Sequence, residues 1–374
     1  MQMRVNRLRE ALNLLQPVVP KKATLPVLQN ILLTDGKAEA TDLEVAVALD
    51  MPEVDGQCLI PYRTVVELLK RIPGDETVTL EQKGMSLNLT WFGGKASYDV
   101  NDPKDYPPFP KFDARAQHSV DGDSLVGTLS SLISYCATEE TRPVLTGVTI
   151  YLNETLEVAA SDGFRMAYQP LPIAFEAEGV NSIIIPARAV RLLSHLWDKG
   201  PRAPVGDSLI ELLTSKRQVG LTLGGGMLGD EMLKAEFGRV TLVTKLVSGT
   251  PPQFKQLIPQ DVQTEVQVMA PDFERAVRGV SDVASDGGGI ARLSWSKTKM
   301  TVSAKSEDKG QVETNLSVDS PEPGKIAINN RYLLSYLHDK EGVVTMGVRD
   351  PQEPILFHYG VSPTVVIMPM AVQW

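Results

Sequence analysis

The sequence is poor in the residues that build disulfide frameworks and metal sites, with two cysteines and four histidines in 374 residues. Cys58 and Cys136 lie far apart in the sequence, which argues against a disulfide framework or a cysteine-based zinc site. No run of about 18 apolar residues occurs, and the start of the chain is too polar for a signal peptide. We therefore expect a cytoplasmic protein that needs neither a metal nor a cofactor.

The composition is that of an ordinary globular protein, with 43% hydrophobic and 22% charged residues. It excludes disorder, a collagen helix and a coiled coil, and the length predicts about two to four domains. The formal net charge of −9 makes nucleic acid a poor guess as a partner on bulk charge alone.

One pattern occurs three times along the chain. Each third begins with apolar residues at helical spacing, continues with alternating apolar runs typical of strands, and has a second helix start near residues 61, 186 and 329. Pro-rich stretches at 103–110 and 251–259 close the first two copies. The pattern predicts three α+β domains of one topology, each with two helices packed on antiparallel sheets, at residues 1–114, 115–260 and 261–374. A Gly-rich run at 224–238 predicts an extended hairpin loop in the middle copy.

A tetrapeptide typical of one class of serine esterases, Gly-Asp-Ser-Leu, occurs at residues 122–125 and 206–209. Such enzymes use a histidine preceded three residues earlier by aspartate as the base for the serine, and none of the four histidines has that neighbour. We interpret Ser124 as part of a helix N-terminal turn capped by Asp121 or Asp123. A hydrolase that uses Ser124 or Ser208 stays open as the alternative.

Six strings in order along the chain resemble the beta sliding clamp family of bacterial DNA polymerase III. They are TLPVL at 24–28, TDLE at 41–44, ETRPVLTG at 140–147, SDGFRMA at 161–167, KLV at 245–247 and VIMPM at 366–370. The resemblance implies three similar domains per chain and a head-to-tail dimer that closes into a ring around duplex DNA. It also implies a non-catalytic processivity factor, because a ring that tethers the polymerase raises its effective concentration at the primer end. A ring specialised for a single partner or replicon also stays open.

The resemblance places two helices of each domain along the central hole. The six corresponding segments, at residues 4–16, 62–72, 121–136, 186–199, 271–283 and 329–340, together carry a net positive charge, so the rest of the chain is more acidic than the whole. This separation favours threading of DNA through sequence-independent phosphate contacts. The predicted DNA-binding residues are Lys21, Lys22, Arg63, Arg142, Arg188 and Arg191.

The resemblance also implies a hydrophobic groove between the second and third domains. It would take short linear peptides from the replicative polymerase, the clamp loader, other polymerases and repair proteins, and methionine side chains suit such varied ligands. The matching positions are Leu145, Ser161, Gly163, Phe164, Arg165, Met166, Pro252, Leu257, Val366, Met368, Pro369 and Met370.

Tyr98 and Val283 are the predicted dimer contacts. Three features depart from the family pattern: Asp282 at the expected interface, the segment 250–254, and the tail at residues 371–374. We expect them to affect dimer stability and the rim of the groove more than the fold.

Overall fold

The structure is a computed structural model that describes residues 1–200, 217–226 and 230–374. The chain folds into two compact units. Unit 1 comprises Met1–Ser130, Tyr151–Leu156 and Pro172–Ser248, and unit 2 comprises Ser131–Ile150, Glu157–Leu171 and Gly249–Trp374. The Gly-Asp-Ser-Leu copy at 206–209, with Ser208, lies outside the described residues.

The described residues form six α-helices, two in each third of the chain as predicted. They are α1 (Val5–Leu15), α2 (Tyr62–Leu69), α3 (Gly122–Leu132), α4 (Ala187–Lys199), α5 (Ala270–Asp286) and α6 (Asn330–Leu337). Each buries the apolar stripe that the spacing predicts; in α1, Val5, Leu8 and Leu12 are fully buried. The predicted segments at 62–72 and 329–340 are too long by about a turn, because the chain leaves the helix at Lys70 and His338.

The interpretation of Ser124 as a helix-start residue is confirmed. It lies in the first turn of α3, and its backbone N–H donates to Asp121 Oδ1 at 3.2 Å. An aspartate before the first turn satisfies one of the N–H groups that have no partner inside the helix.

The described part of the chain contains twenty-four strands, which form antiparallel sheets. In the first third they are β1 (Gln2–Arg4), β2 (Asn30–Thr34), β3 (Lys37–Thr41), β4 (Val45–Asp50), β5 (Gln57–Pro61), β6 (Thr77–Lys83), β7 (Ser86–Trp91) and β8 (Gly94–Asp99). In the middle third they are β9 (Phe112–Asp121), β10 (Gly147–Tyr151), β11 (Leu156–Ser161), β12 (Arg165–Leu171), β13 (Ser182–Pro186), β14 (Gln218–Gly226), β15 (Glu231–Phe237) and β16 (Val240–Lys245). In the last third they are β17 (Thr264–Met269), β18 (Ile290–Trp295), β19 (Lys299–Ser306), β20 (Gly310–Ser317), β21 (Gly324–Asn329), β22 (Val343–Val348), β23 (Ile355–His358) and β24 (Thr364–Ile367).

Unit 1 contains a four-stranded sheet in the order β1-β6-β7-β8 and an eight-stranded sheet in the order β5-β2-β3-β4-β16-β15-β14-β9. Strand β4 pairs with β16, with Val45 opposite Thr244 and Leu49 opposite Val240. Because β4 belongs to the first third and β16 to the second, this sheet combines strands from two copies of the repeat.

Unit 2 contains a four-stranded sheet in the order β20-β19-β18-β21 and a second long sheet in which β10, β11, β12, β24, β23, β22 and β17 follow one another. Strand β12 pairs with β24, with Arg165 opposite Ile367 and Tyr168 opposite Thr364. The fourth strand of the middle copy therefore pairs with the eighth strand of the last copy. The same relation joins β4 to β16 in unit 1.

The prediction of an extended hairpin loop at 224–238 is wrong for the described residues. Gly224 to Gly226 end β14, and β15 pairs with β14 from Gly220 opposite Glu236 to Gly225 opposite Glu231. The glycine at 224 is needed for close packing, because a Cβ atom there would lie 2.2 Å from the backbone oxygen of Asp113 in β9. A glycine inside a strand often marks such a close approach of backbone.

Candidate functional site

A tight turn at residues 161–165, the Asp162 turn, joins β11 to β12 in unit 2. Asp162 Oδ1 accepts the backbone N–H groups of Phe164 and Arg165 at 2.9 and 3.0 Å. Ser161 Oγ donates to the backbone oxygen of Arg165 at 2.8 Å and accepts the N–H of Gly163 at 3.0 Å. Gly163 has φ +91°, which glycine adopts without strain. The sequence Ser-Asp-Gly thus fixes the backbone of this turn.

The turn projects Phe164 into solvent and directs Arg165 inward. The side chain of Arg165 is 10% exposed, and its Nε donates to Asp162 Oδ2 at 3.1 Å. Its guanidinium carbon lies 4.9 Å from the ring centroid of Tyr135 and 4.6 Å from that of Tyr332. Arg165 therefore fastens the turn to the 3-10 turn Ile133–Tyr135 and to α6.

Burial raises the pKa of Tyr135 to about 12, against the opposing effect of the Arg165 charge. The two tyrosines were not among the predicted site residues. Neither belongs to a motif, and only the tertiary structure brings them to the arginine.

Apolar side chains surround this turn. Strand β24 pairs along β12, and the backbone N–H of Met368 donates to the oxygen of Phe164 at 2.8 Å. The 3-10 turn Phe254–Leu257 contacts β12 as well. Phe164, Leu257 and Met368 are 58%, 55% and 44% exposed. Three large apolar side chains at the surface near one turn indicate a binding surface.

The twelve predicted groove residues fall into three sets by exposure. Leu145, Ser161, Met166 and Val366 are buried beneath the surface. Gly163, Phe164, Leu257 and Met368 are exposed, and Arg165, Pro252, Pro369 and Met370 are half-buried. All twelve belong to unit 2. We call this surface the unit 2 groove.

Lys21, Lys22 and Arg63 form one of the predicted basic groups in unit 1. Both lysines are exposed in the segment after α1, and Arg63 lies in the first turn of α2. The guanidinium of Arg63 donates to the backbone oxygen of Lys21 at 2.9 Å, and Gln29 Nε2 donates to the same oxygen at 3.0 Å. The structure thus brings these three cations together.

Arg188 and Arg191 lie on α4, three residues apart and therefore on one face of the helix. Arg188 forms an ion pair with Asp42, although the arginine side chain is 55% exposed. Arg142, the last predicted DNA-binding residue, is in unit 2, where a Cβ atom on Gly163 would lie 2.4 Å from Arg142 Nη1. It borders the unit 2 groove.

Of the two predicted dimer contacts, Tyr98 lies on β8, at the edge of a four-stranded sheet, and is half-buried. Val283 on α5 is 6% exposed, so the chain itself covers most of its surface. Its neighbour Asp282 accepts a hydrogen bond from Lys309 Nζ at 2.7 Å, and this bond raises the pKa of Lys309.

The described residues contain no group of three His, Cys, Asp or Glu side chains able to hold a metal ion. None of the described helices is long and apolar enough to cross a lipid bilayer.

Three family models match consecutive parts of the chain. The N-terminal domain of the DNA polymerase III beta subunit matches residues 1–110, the central domain residues 120–253 and the C-terminal domain residues 255–371. The chain belongs to the DNA polymerase III beta subunit family. It is a sliding clamp of this type and not an enzyme, which removes the hydrolase alternative.

Curated relatives and solved structures agree. The chain is similar to the beta sliding clamp of Caulobacter vibrioides, with 26% identity over 97% of this chain and 94% of that protein. It is similar to that of Bacillus subtilis, with 24% identity over 98% of both chains. Crystal structures of the sliding clamps of Pseudomonas aeruginosa and of Bartonella birtlesii, the latter bound to griselimycin, superpose with TM-scores of 0.86 and 0.87 at 22% identity. Each superposition covers 100% of this chain and 99% of the other. The clamp fold predicted from the sequence is therefore confirmed.

Proposed function

We propose that this clamp is a processivity factor that closes as a head-to-tail homodimer around duplex DNA and binds other replication proteins through the unit 2 groove. The observation that carries the proposal is the order of strands at the sheet edges. The proposal also includes DNA contacts, peptide binding and three domains, at residues 1–114, 115–260 and 261–374. Its place of action would be the cytoplasm, on the nucleoid.

Strand pairing follows one rule along the chain. The fourth strand of one copy pairs with the eighth strand of the next copy, as β4 does with β16 and β12 with β24. This rule leaves the fourth strand of the last copy, β20, and the eighth strand of the first copy, β8, each at the edge of a four-stranded sheet. Unpaired edges are sites for pairing with another chain. Pairing of β20 with β8 of a second copy would extend the same rule, and two such contacts would close a ring.

Cations on separate elements support DNA binding. Lys21, Lys22 and Arg63 form one group, and Arg188 and Arg191 share a face of α4. Such side chains would bind phosphate without reading sequence, as a sliding protein requires. The negative total charge is compatible with this role, because basic residues are needed only where DNA passes.

The unit 2 groove supports the proposed binding of other replication proteins. Phe164, Leu257 and Met368 present aromatic and flexible aliphatic surface around a turn that is held rigidly by hydrogen bonds. A preformed apolar surface binds a short peptide at a low entropic cost. Griselimycin, which is bound to the sliding clamps of Pseudomonas aeruginosa and Bartonella birtlesii, is a suitable probe of this surface.

Retention on DNA of different topology tests the central proposal. The clamp, loaded by a clamp loader, should remain on nicked circular DNA and leave the same DNA after linearisation, because a ring can slide off an end. Equal loss from both forms would refute encirclement. Lys21→Ala with Lys22→Ala should reduce loading and leave the dimer intact, whereas Lys83→Ala, in another exposed part of unit 1, should change neither.

Proline substitutions test ring closure. Successive N–H groups of a strand point to opposite sides, so Ser97→Pro and Tyr98→Pro in β8 remove one N–H toward β7 and one toward the free edge. The unaltered clamp should have a mass in solution of about twice 40.8 kDa, and the variant that loses the N–H at the free edge should have a mass of 40.8 kDa. The variant that loses the N–H toward β7 should show the larger fall in the thermal midpoint. Two variants that both remain dimeric would contradict pairing through β8.

A further inference from the structure

The two free sheet edges, β8 in unit 1 and β20 in unit 2, carry exposed charges of both signs. Lys95 and Asp99 are exposed on β8, and Glu313 is exposed on β20. Within the described residues, no ion pair engages any of these three side chains. Lys309, in the turn before β20, is also exposed, and its Nζ binds Asp282 Oδ1 at 2.7 Å. Charges on an edge strand discourage pairing in general, so they favour a partner strand that places opposite charges beside them.

The junction of β4 with β16 inside unit 1 shows how two copies of the repeat align. Thr241 of β16 lies opposite Ala48 of β4. At the end of this pairing, the backbone N–H of Lys245 donates to the oxygen of Glu44 at 3.0 Å. The side chains of these two residues form an ion pair, with Lys245 Nζ 3.6 Å from Glu44 Oε1. The turn residue before one strand therefore meets the last residue of the other.

Strand β8 occupies the place in its sheet that β16 occupies. Arg4 directly precedes α1, and the residues paired with it lead across β1, β6, β7 and β8 to Lys95. Asp121 directly precedes α3, and the corresponding route across β9, β14, β15 and β16 leads to Thr241. Both routes include one step of two residues along the second strand. Lys95 is therefore the counterpart of Thr241.

Strand β20 matches β4 in the same way. Pro61 directly precedes α2, and the route across β5, β2, β3 and β4 leads to Ala48. Asn329 directly precedes α6, and the route across β21, β18, β19 and β20 leads to Glu313. Again both routes include one step of two residues along the second strand. Glu313 is therefore the counterpart of Ala48.

We propose that β8 of one copy pairs with β20 of a second copy in this register, and that its charges make the two edges specific for each other. Lys95 lies opposite Glu313 of the second copy, as Thr241 lies opposite Ala48 within unit 1. Asp99 then meets Lys309 of the second copy, as Lys245 meets Glu44. Both contacts join opposite charges. The inference rests on the proposed ring and adds to it the alignment of the two chains and the residues that select it.

Neighbouring registers lack this charge complementarity. Side chains alternate between the two faces of a strand, so only shifts by an even number of residues keep exposed residues together. A shift by two would place Lys95 opposite Gln311 in one direction and opposite Asn315 in the other. In the first of these registers Asp99 would also lie opposite Glu307, which has the same charge.

The other face of the two strands fits the same register. Tyr98 on β8 and Val312 on β20 are half-buried. Tyr98 would lie opposite Gly310, which has no side chain to compete for space, and Ala96 would lie opposite Val312. Large residues therefore face small ones, which favours close packing.

The charges at the turn are reversed between the two kinds of junction. Inside unit 1 the turn residue is the anion Glu44 and the strand residue is the cation Lys245. At the proposed ring junction the turn residue is the cation Lys309 and the strand residue is the anion Asp99. A mistaken pairing of β8 with β4 would place Asp99 beside Glu44, and like charges there oppose it. Asp282 holds the Lys309 ammonium by its hydrogen bond, so this departure from the family pattern serves the junction.

Disulfide trapping tests the register. Ser97→Cys with Gln311→Cys places two cysteines directly opposite, where the Cα atoms of a pair are about 5.5 Å apart and a disulfide can form. Oxidation with copper phenanthroline should give a covalent dimer, and the two native cysteines are buried and should not react. Ser97→Cys combined with Lys309→Cys or with Glu313→Cys tests the two shifted registers and should cross-link far more slowly.

The outcomes separate this inference from the proposed ring. Fastest cross-linking through Ser97 and Gln311 supports the register. A clamp that is dimeric by mass but cross-links faster through a shifted pair would overturn the register and leave the ring standing. A monomeric clamp would overturn both.

Charge reversal tests the selection. Glu313→Lys should raise the dissociation constant of the dimer by about tenfold, because like charges then face each other at both junctions of the ring. Adding Lys95→Glu should restore the affinity of the unaltered clamp, as measured by sedimentation equilibrium. Lys83→Glu, at an exposed residue of β6, is the matched control and should not change the dissociation constant. A dimer that is weakened by Glu313→Lys and not restored by Lys95→Glu would contradict the pairing of these two charges.

Discussion

Two turns of this clamp share one backbone and differ in chemistry. The Asp42 turn (residues 41–45) in unit 1 is the counterpart of the Asp162 turn in unit 2. In the Asp42 turn the carboxylate accepts two backbone N–H groups at 3.0 and 2.8 Å, and the Thr41 hydroxyl donates to the oxygen of Val45 at 2.9 Å. Each distance is within 0.2 Å of its counterpart in the Asp162 turn. In both, the strand of the following copy joins through one N–H, from Lys245 or from Met368.

The exposed side chains differ. Where the Asp162 turn carries Phe164 and meets Met368, the Asp42 turn carries Glu44 and meets Lys245. Lys245 Nζ lies 3.6 Å from carboxylate oxygens of both Glu44 and Asp230. The cavity beside the Asp42 turn has a volume of only about 70 Å³. One scaffold therefore carries charged pairs in unit 1 and an apolar surface in unit 2, and this difference is the reason that we propose peptide binding for unit 2 alone.

The largest expected effect comes from removal of each aspartate. Asp162→Ala should lower the free energy of unfolding by about 3 kcal/mol, because it leaves the buried Arg165 charge without its carboxylate. Asp42→Ala should cost about 1–2 kcal/mol, since Arg188 is 55% exposed and can be solvated. The midpoint of chemical denaturation measures both. Equal losses of unfolding free energy in the two variants would show that the ion pair between Arg165 and Asp162 adds no stability to that of the turn's hydrogen bonds.

Exchange of the exposed side chains should have the next largest effect. Phe164→Glu with Met368→Lys should weaken griselimycin binding about 100-fold, or about 2.7 kcal/mol, because the apolar anchors are lost. Val361→Ala, at a residue that is 96% exposed in the same unit, is the control and should not change the affinity. The reciprocal variant, Glu44→Phe with Lys245→Met, should still bind one griselimycin per chain when measured by calorimetry, because the cavity beside the Asp42 turn is small. A second site would show that side chains alone determine the ligand.

The smallest effect is expected at the residue with a positive φ in each turn, Gly163 in one and Leu43 in the other. Gly163→Ala should destabilise the clamp by about 1–2 kcal/mol, since φ is +91° and the new Cβ would meet Arg142. Leu43 already has φ +78°, so Leu43→Gly should change stability by less than about 0.5 kcal/mol, as relief of strain offsets the added freedom of the unfolded chain. Thermal midpoints test both, and a large gain for Leu43→Gly would mean that the strain is greater than this.

The sequence predicted the α+β class, the three copies and the positions of all six helices, because helical spacing and proline punctuation are local signals. The prediction of a hairpin loop at 224–238 was wrong, because the backbone of β9 approaches closely at Gly224 and explains the glycine there. It found Phe164 and Met368 through family motifs. It could not show that Arg165 is enclosed by Tyr135 and Tyr332, which are distant in sequence.

The repeat, the secondary structure and the family follow from the amino-acid pattern, since each depends on residues close together or on strings in order. Which strands pair across copies, which edges remain open and which cations share a surface follow from the folding of the whole chain. The pairings of β4 with β16 and of β12 with β24 join residues more than a hundred positions apart in the sequence. The strand rule that supports the ring therefore became visible only in three dimensions.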